Sequence, residues 1–297
     1  MSLSLTRPGP RLSERTTLGL GGPCLAEVVL RREADLDELA GLLAREPEGR
    51  VLVLGGGSNL LAADHELPLV LVRPANADFR ILDRAPDADA VTVRAGAGLK
   101  LPILLHELAR AGLSGLEGLT GIPGNVGGSV AGNAGSFGCC LGERVRRVRL
   151  WTPGGDLAWK TAHEVAFAYR HFDPRLDRAP WLVWEVELDL APSDDAAVRA
   201  RMVEVMERKQ LSQPVSCRTA GCVFKNPEGD FAGRLLEQAG FKGRRLGDMA
   251  FSDRHANFLV NLGGGTAAQA LELLELARAT VLDRSGVRLE TEVVVIA

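Results

Sequence analysis

The sequence predicts an α+β protein, and three observations carry that prediction. Strand-like and helix-like segments follow one another without the strict β–α–β alternation of a doubly wound sheet. Short apolar runs end in glycine clusters, as in Val51–Leu54 running into Gly55, and Ala90–Ala95 running into Gly96. The texture then changes near Pro214, after which a loop, a short helix, a strand, a long helix and a terminal strand are expected. At 297 residues the chain exceeds the usual size of one core, which favours two or three domains.

The elements follow from local pattern. Val51–Leu54 is a short apolar run of strand type, and Ala90–Ala95 alternates in the manner of a half-buried strand. Leu101, Leu104, Leu105, Leu108 and Ala109 make one apolar helical stripe, with Pro102 tolerable in the first turn and Gly112 as the stop. Gly112 to Gly142 is too rich in glycine to be regular over most of its length. Glu143–Trp151, Leu157–Lys160 and Trp181–Leu190 read as strands, the first two joined by a turn at Pro153-Gly154-Gly155. Ser193 is the expected cap of a helix reaching about Leu211. Thr219–Pro227 is expected to be a loop, Phe231–Gln238 a short helix and Ala256–Leu262 a strand. Thr266-Ala267-Ala268-Gln269 has the form of a capping box and opens a helix ending near Gly286. Leu289–Ile296 reads as a terminal strand.

Composition excludes several classes. Hydrophobic residues make up 46% and charged residues 25% of the chain, and the formal net charge is -3, so no basic footprint for nucleic acid or an anionic membrane exists. No window approaches the ~18 apolar residues of a membrane span, and the opening MSLSLTRPGP has no apolar signal region. The five cysteines, Cys24, Cys139, Cys140, Cys217 and Cys222, are odd in number and show no CxxC spacing. That argues for reduced thiols in a cytoplasmic protein and against a metal site.

Five stretches could carry chemistry. In VLVLGGGSN, Gly55, Gly56 and Gly57 let backbone N–H groups approach phosphate oxygens, and Ser58 and Asn59 add side-chain donors; a tight turn is the structural alternative. The run Gly118–Gly138 is uncharged and more than a third glycine, which suits a cradle for a diphosphate and a planar ring better than a linker. Two such loops suggest a dinucleotide, yet no GxGxxG opens a helix after the Val51–Leu54 strand. Arg170 sits among Val165, Phe167 and Phe172, where its charge needs a carboxylate of the protein or of a ligand. Cys222, Lys225 and Asn226 share one loop, where a thiol is either a small buried hydrophobe or an acid. Glu290 and Glu292 are two apart on one expected strand face, as functional carboxylates or as charges on an edge.

Together these motifs resemble the UDP-N-acetylenolpyruvoylglucosamine reductase (MurB) family of FAD enzymes. The similarity runs in order through TTLGLGG, VLVLGGGSN, GLEGLTGIPGNVGGSVAGNAGSFG, FAYR, TAGCVFKNP, GRLLEQAGFKG, DRHANFLVN and LETEVVVI. The resemblance implies the FAD-binding fold of the vanillyl-alcohol-oxidase (PCMH-type) class in two subdomains. It adds a carboxy-terminal α+β substrate-binding domain. Residues 1–213 would form the FAD domain, split near 75, and 214–297 the substrate domain, with strand 289–297 a candidate to return to the FAD domain. It implies NADPH-dependent, FAD-mediated reduction of the enolpyruvyl UDP-sugar to UDP-N-acetylmuramate for peptidoglycan, by a monomer in the cytoplasm. By resemblance, Gly55, Gly56, Gly57, Ser58 and Asn59 hold FAD, together with Gly121, Ile122, Pro123, Gly124, Asn125, Gly127, Gly128 and Ser129. Arg170 would pair with the substrate carboxylate, Cys222 donate the proton, and Glu292 help hold or polarise that carboxylate. Tyr169, Lys225, Asn226 and His255 would line the substrate pocket.

The chain departs from the family pattern in specific places. The proton-donor position is usually serine, and here it is Cys222. A thiol, with a reference pKa of about 8.5, is a competent acid toward a carbanion. The serine-containing continuation after Tyr169-Arg170 is missing. Tyr169 is the chain's single tyrosine, and the span from Arg170 to Pro214 is short, which suits the subclass without a substrate-closing tyrosine loop. Two other functions fit the same motifs: a flavin-dependent alcohol or lactone oxidase, whose flavin Cys139 or Cys140 could tether, and a non-catalytic nucleotide-sugar-binding module.

Overall fold

The computed structural model describes residues 3–45, 49–83, 89–154, 157–177 and 180–297. The chain forms two compact units. The first comprises the amino-terminal residues up to Arg7, Ala26–Gly56 and Pro68–Glu207; the second comprises Pro8–Leu25, Gly57–Leu67 and Arg208–Ala297. Two short amino-terminal segments therefore belong with the carboxy-terminal residues, which a single boundary near Pro214 does not convey.

The first unit is built on two larger sheets, besides short two-stranded pairings. The smaller has the strand order Cys24–Leu30, Leu67–Pro74, Arg50–Val53, the last two pairing in parallel from Arg50↔Leu69 to Val53↔Val72. The helix Ala34–Ala44 follows the first strand. The larger sheet runs Ala158–Thr161, Val145–Trp151, Leu182–Pro192, Val91–Gly96, Phe79–Asp83, and each of these neighbours is antiparallel. The expected turn between the 145–151 and 158–161 strands is consistent with their pairing, with Gly154 at φ +70°; Gly155 lies outside the described residues. The helix Leu101–Arg110 buries the five residues of its predicted stripe under the large sheet's core of Val93, Val148, Val186 and Leu188. Each such leucine contributes roughly 1.5–3 kcal/mol of burial.

The second unit has a four-stranded antiparallel sheet in the order Arg218–Cys222, Phe258–Asn261, Met249–Phe251, Arg245–Leu246. Helices Ala232–Gln238 and Ala267–Ser285 cover a core containing Phe224, Phe241, Phe251, Leu236 and Leu273. The capping box is realised in both bonds: Thr266 Oγ1 accepts from Gln269 N and Gln269 Oε1 accepts from Thr266 N. Gly286 closes that helix in the left-handed region at φ +69°. Val294–Ile296 pairs in parallel with Leu60–Ala62. Among the described residues no helix is long and apolar enough to cross a membrane.

Four expectations are corrected. Thr219–Cys222 is strand rather than loop, because its pairing with 258–261 supplies the order that its small residues lack. The glycine-rich run contains the helix Val126–Ala131 despite Gly127 and Gly128. The 195–212 helix is capped by Asp194, whose Oδ1 accepts from Ala196 N at 2.7 Å, and not by Ser193. Only Val294–Ile296 of the terminal stretch is regular strand. Glu290 and Glu292 consequently do not share a strand face: Glu290 is exposed and Glu292 half-buried.

Candidate active site

In the first unit the two glycine loops meet back to back. A Cβ on Gly56 would fall 2.5 Å from Gly124 Cα, and one on Gly127 would fall 2.7 Å from Ala97 Cβ. Neither distance is tolerable, so these positions must be glycine if the backbones are to approach. Backbone bonds fix the second loop: Leu101 N donates to Gly124 O, Val126 N to Leu99 O and Gly127 N to Ala97 O. Gly121 and Gly124 take φ +83° and +117°. Ser129 is buried, and its hydroxyl donates to Asn125 O at 3.0 Å within the short helix. Ile122 is half-buried against the core, and Pro123 is exposed.

Next to this contact lies a cavity of about 700 Å³ lined by Gly55, Gly127, Gly128, Ala131, Val53 and Trp181, among others. A Cβ at Gly128 would meet nothing within 4 Å. The cavity is mostly apolar, with glycines on one wall and Val53, Trp181, Leu182 and Val183 among the rest, a lining that suits a flat part of the FAD expected from the sequence. Gly57, Ser58 and Asn59 belong to the second unit. There Gly57, at φ +62°, accepts from Thr17 N, and Asn59 Nδ2 donates to Glu292 O at 3.1 Å.

Arg170 stands at the tip of a hairpin in the first unit. Ala166–Ala168 pairs antiparallel with His171–Asp173, leaving Tyr169 and Arg170 as the two turn residues. Arg170 has φ +53°, a left-handed conformation that costs a non-glycine residue about 1–2 kcal/mol. Its guanidinium carbon lies 5.5 Å from the Tyr169 ring centre. Its Nη1 is 3.2 Å from where a Cβ on Gly135 would stand, so the side chain lies across that glycine. Tyr169 is exposed.

In the second unit two segments run side by side. Glu292 N donates to Val223 O at 2.8 Å and Lys225 N to Glu290 O at 2.8 Å, with a bridge between Phe224 and Thr291. Cys222 ends its strand just after Gly221, which takes φ +80°. Lys225 Nζ reaches Glu290 Oε2 at 3.5 Å, and Asn226 Oδ1 accepts from Ala232 N to start the 232–238 helix. Cys222, Lys225, Asn226 and Glu292 are thus brought onto one pair of segments. His255 is spent locally: its Nδ1 accepts from Asn257 N at 3.2 Å and its ring packs edge-on to Phe258 at 5.0 Å. Burial pushes the His255 pKa below the usual imidazole value, which keeps the ring neutral at pH 7.

Sequence reasoning missed Asn257. This buried amide accepts from Phe224 N through Oδ1 at 3.0 Å and donates to Phe224 O through Nδ2 at 2.8 Å, while its own carbonyl accepts from Val223 N. The signal was an amide inside the apolar run HANFLV, where an unpartnered polar group would be costly. Burial pushes the Cys139 thiol up to about 11, and its Sγ donates to Gly115 O at 3.2 Å; a thiol so held is a poor nucleophile. Among the described residues no group of three or more His, Cys, Asp or Glu gathers as a metal ion would require.

Comparison with known proteins accords with this geometry. Residues 25–160 match the family model of an FAD binding domain, and residues 213–296 that of the UDP-N-acetylenolpyruvoylglucosamine reductase C-terminal domain. The UDP-N-acetylenolpyruvoylglucosamine reductase of Nitratidesulfovibrio vulgaris is 47% identical over 295 residues, covering 97% of both chains. The chain belongs to the UDP-N-acetylenolpyruvoylglucosamine reductase family. The reductase of Oleidesulfovibrio alaskensis is 46% identical and covers 96% of each chain. The crystal structure of the MurB reductase from Thermus caldophilus superposes with a TM-score of 0.80 at 35% identity, covering 99% of this chain and all of that one. Within this family the chain is an FAD-dependent oxidoreductase, and its glycine cradle falls inside the matched FAD binding region.

Proposed function

We propose that the protein reduces UDP-N-acetylglucosamine enolpyruvate to UDP-N-acetylmuramate at the expense of NADPH, acting as a monomer in the cytoplasm. Gly55, Gly56, Gly124, Gly127 and Gly128 are the residues that would hold FAD, which when bound would supply the hydride chemistry of the reduction, with NADPH as the source of electrons. What remains is a proton and a carboxylate to manage. Arg170 pairs with the substrate carboxylate and stabilises the negative charge that develops beside it. Cys222 gives its proton to the carbon next to that carboxylate, and the thiolate is reprotonated from solvent. Glu292 polarises the carboxylate, while Tyr169, Lys225, Asn226 and His255 line the substrate's path.

The observation that supports this reading most is the backbone pairing of Val223 with Glu292, which places the two family residues Cys222 and Glu292 on adjoining segments. The test is anaerobic stopped-flow of the prereduced enzyme mixed with the enolpyruvyl sugar nucleotide, followed at the flavin band. Cys222→Ala should slow reoxidation by about 10²–10⁴-fold, the usual worth of a general acid, while reduction by NADPH persists. Cys222→Ser should retain substantial activity. An alanine variant as fast as wild type would rule out the thiol as proton donor.

A further inference from the structure

We propose that Asn133 is a positioning residue for Arg170, a part of the reaction machinery that none of the motifs used so far assigns. Asn133 is 5% exposed and both ends of its amide are occupied. Nδ2 donates to Ala168 O at 2.8 Å, and Oδ1 accepts from Gly142 N at 2.9 Å. Ala168 directly precedes the turn Tyr169-Arg170 and pairs across the hairpin with His171, the pair that closes that turn. Asn133 is in turn tied to the cradle: its N donates to Val130 O, the last full turn of the Val126–Ala131 helix that carries Gly127 and Gly128. One residue, through its main chain on one side and its side-chain amide on the other, therefore links the glycine cradle to the arginine hairpin within a single compact unit.

Three further features fit that role. Asn133 has φ +41°, a conformation asparagine accepts better than other side-chain-bearing residues, so the position combines a backbone and a side-chain requirement. Gly142 is held tightly on both sides: a Cβ there would fall 2.6 Å from the Phe167 ring and 2.8 Å from Asn133 Oδ1. Phe167 belongs to the hairpin's first strand and packs on Phe172 of the second with ring centres 4.8 Å apart. The two pairs next to the turn are thus fixed by packing and by one donated hydrogen bond, while the turn holds Arg170 in a strained left-handed conformation. Strain in the turn persists only if its surroundings over-determine it. Slack of about 1 Å at a positioned charge costs roughly 10²-fold in rate.

This inference rests on the reading that Arg170 binds the substrate carboxylate, and the experiment separates the two. Asn133→Asp keeps the size, the tolerance of positive φ and the acceptor for Gly142 N, but turns an oxygen toward the Ala168 carbonyl. Asn133→Gly keeps the backbone conformation and removes both side-chain bonds, and it serves if the aspartate variant folds poorly. In both, reoxidation by the enolpyruvyl nucleotide should slow roughly 10- to 100-fold and the KM for that substrate should rise. FAD content and the rate of reduction by NADPH should stay within about twofold of wild type, which a merely structural defect would not allow. In an Arg170→Ala background, Asn133→Asp should slow reoxidation less than about twofold further, because residues acting through one another are not additive. An Asn133→Asp enzyme as fast as wild type, or one whose defect multiplies fully onto Arg170→Ala, overturns the inference. An Arg170→Ala enzyme that is itself as fast as wild type overturns the reading of Arg170, and the positioning role with it.

Discussion

Removal of the Asn257 amide should be among the most damaging single changes in the second unit. Its side chain imitates a peptide group, presenting an acceptor to Phe224 N and a donor to Phe224 O at 3.0 and 2.8 Å. Phe224 is fully buried, so water cannot replace either partner. Asn257→Leu keeps the approximate volume and leaves one N–H and one C=O orphaned; at about 1–3 kcal/mol each, the loss is about 2–6 kcal/mol. Calorimetry should show the midpoint of the transition that includes this unit falling by roughly 10–20 °C. The same variant loosens Val223–Phe224, so product formation should fall more than FAD content. A midpoint within a few degrees of wild type, with unchanged turnover, would refute the argument that this amide replaces a missing ladder bond.

Two further outcomes follow. Gly56→Ala puts a Cβ 2.5 Å from Gly124 Cα, so the loops must separate. FAD affinity should weaken roughly tenfold or more, as overpacking costs about 1–3 kcal/mol, and the purified protein should show a reduced ratio of flavin to protein absorbance; full flavin content would count against the close contact. Glu187 is buried on the large sheet. Burial alone would raise its pKa, but hydrogen bonds from Arg147 and Arg94, at 2.6 Å each, more than offset that and hold it below the usual value. A carboxylate with a depressed folded pKa adds stability that is complete above its unfolded pKa and is lost as pH falls through the folded one. Glu187→Gln should therefore cost about 1.5–3 kcal/mol near pH 7, and urea midpoints of variant and wild type should converge toward pH 3. A gap that stays constant between those pH values would sink the assignment.

What the sequence made legible was whatever is decided locally. The 267–285 helix shows why: its capping box lies within four consecutive residues and its stop is a single glycine, so both ends are read without knowing the fold. Likewise the stripe from Leu101 to Ala109 needs only its own period. The strand Arg218–Cys222 was not legible because Ala220 and Gly221 disfavour strands and outweigh Thr219, and a partner about forty residues on imposes the conformation. In the helix Val126–Ala131, Gly127 is required by the close approach of Ala97, a tertiary contact that the local sequence does not reveal. Arg170, Cys222 and Glu292 were singled out through the joint order of motifs, while the groups that hold their segments were not.

Those groups have something in common. Arg170 sits on a two-residue turn, and Cys222 leads out of a strand that breaks register between Thr219 and Cys222. Both lie where a regular ladder ends, which frees a side chain to face a ligand but leaves neighbouring backbone groups in need of partners. In each unit a buried asparagine meets that need, Asn133 at Ala168 and Asn257 at Phe224. An uncharged amide is the side chain that offers a donor and an acceptor side by side, as a peptide does, and it can be buried without the desolvation cost of a carboxylate. Its partner is decided by the fold: Ala168 is 35 residues from Asn133, and Phe224 is 33 residues from Asn257. A local pattern can flag such a residue as an amide in an apolar run, as in HANFLV, but it does not name the partner, since nothing within a helical or strand period changes when the partner does. The side chains proposed to react are therefore readable as motifs, whereas the placement of their segments depends on amides whose partners are set only once the chain has folded.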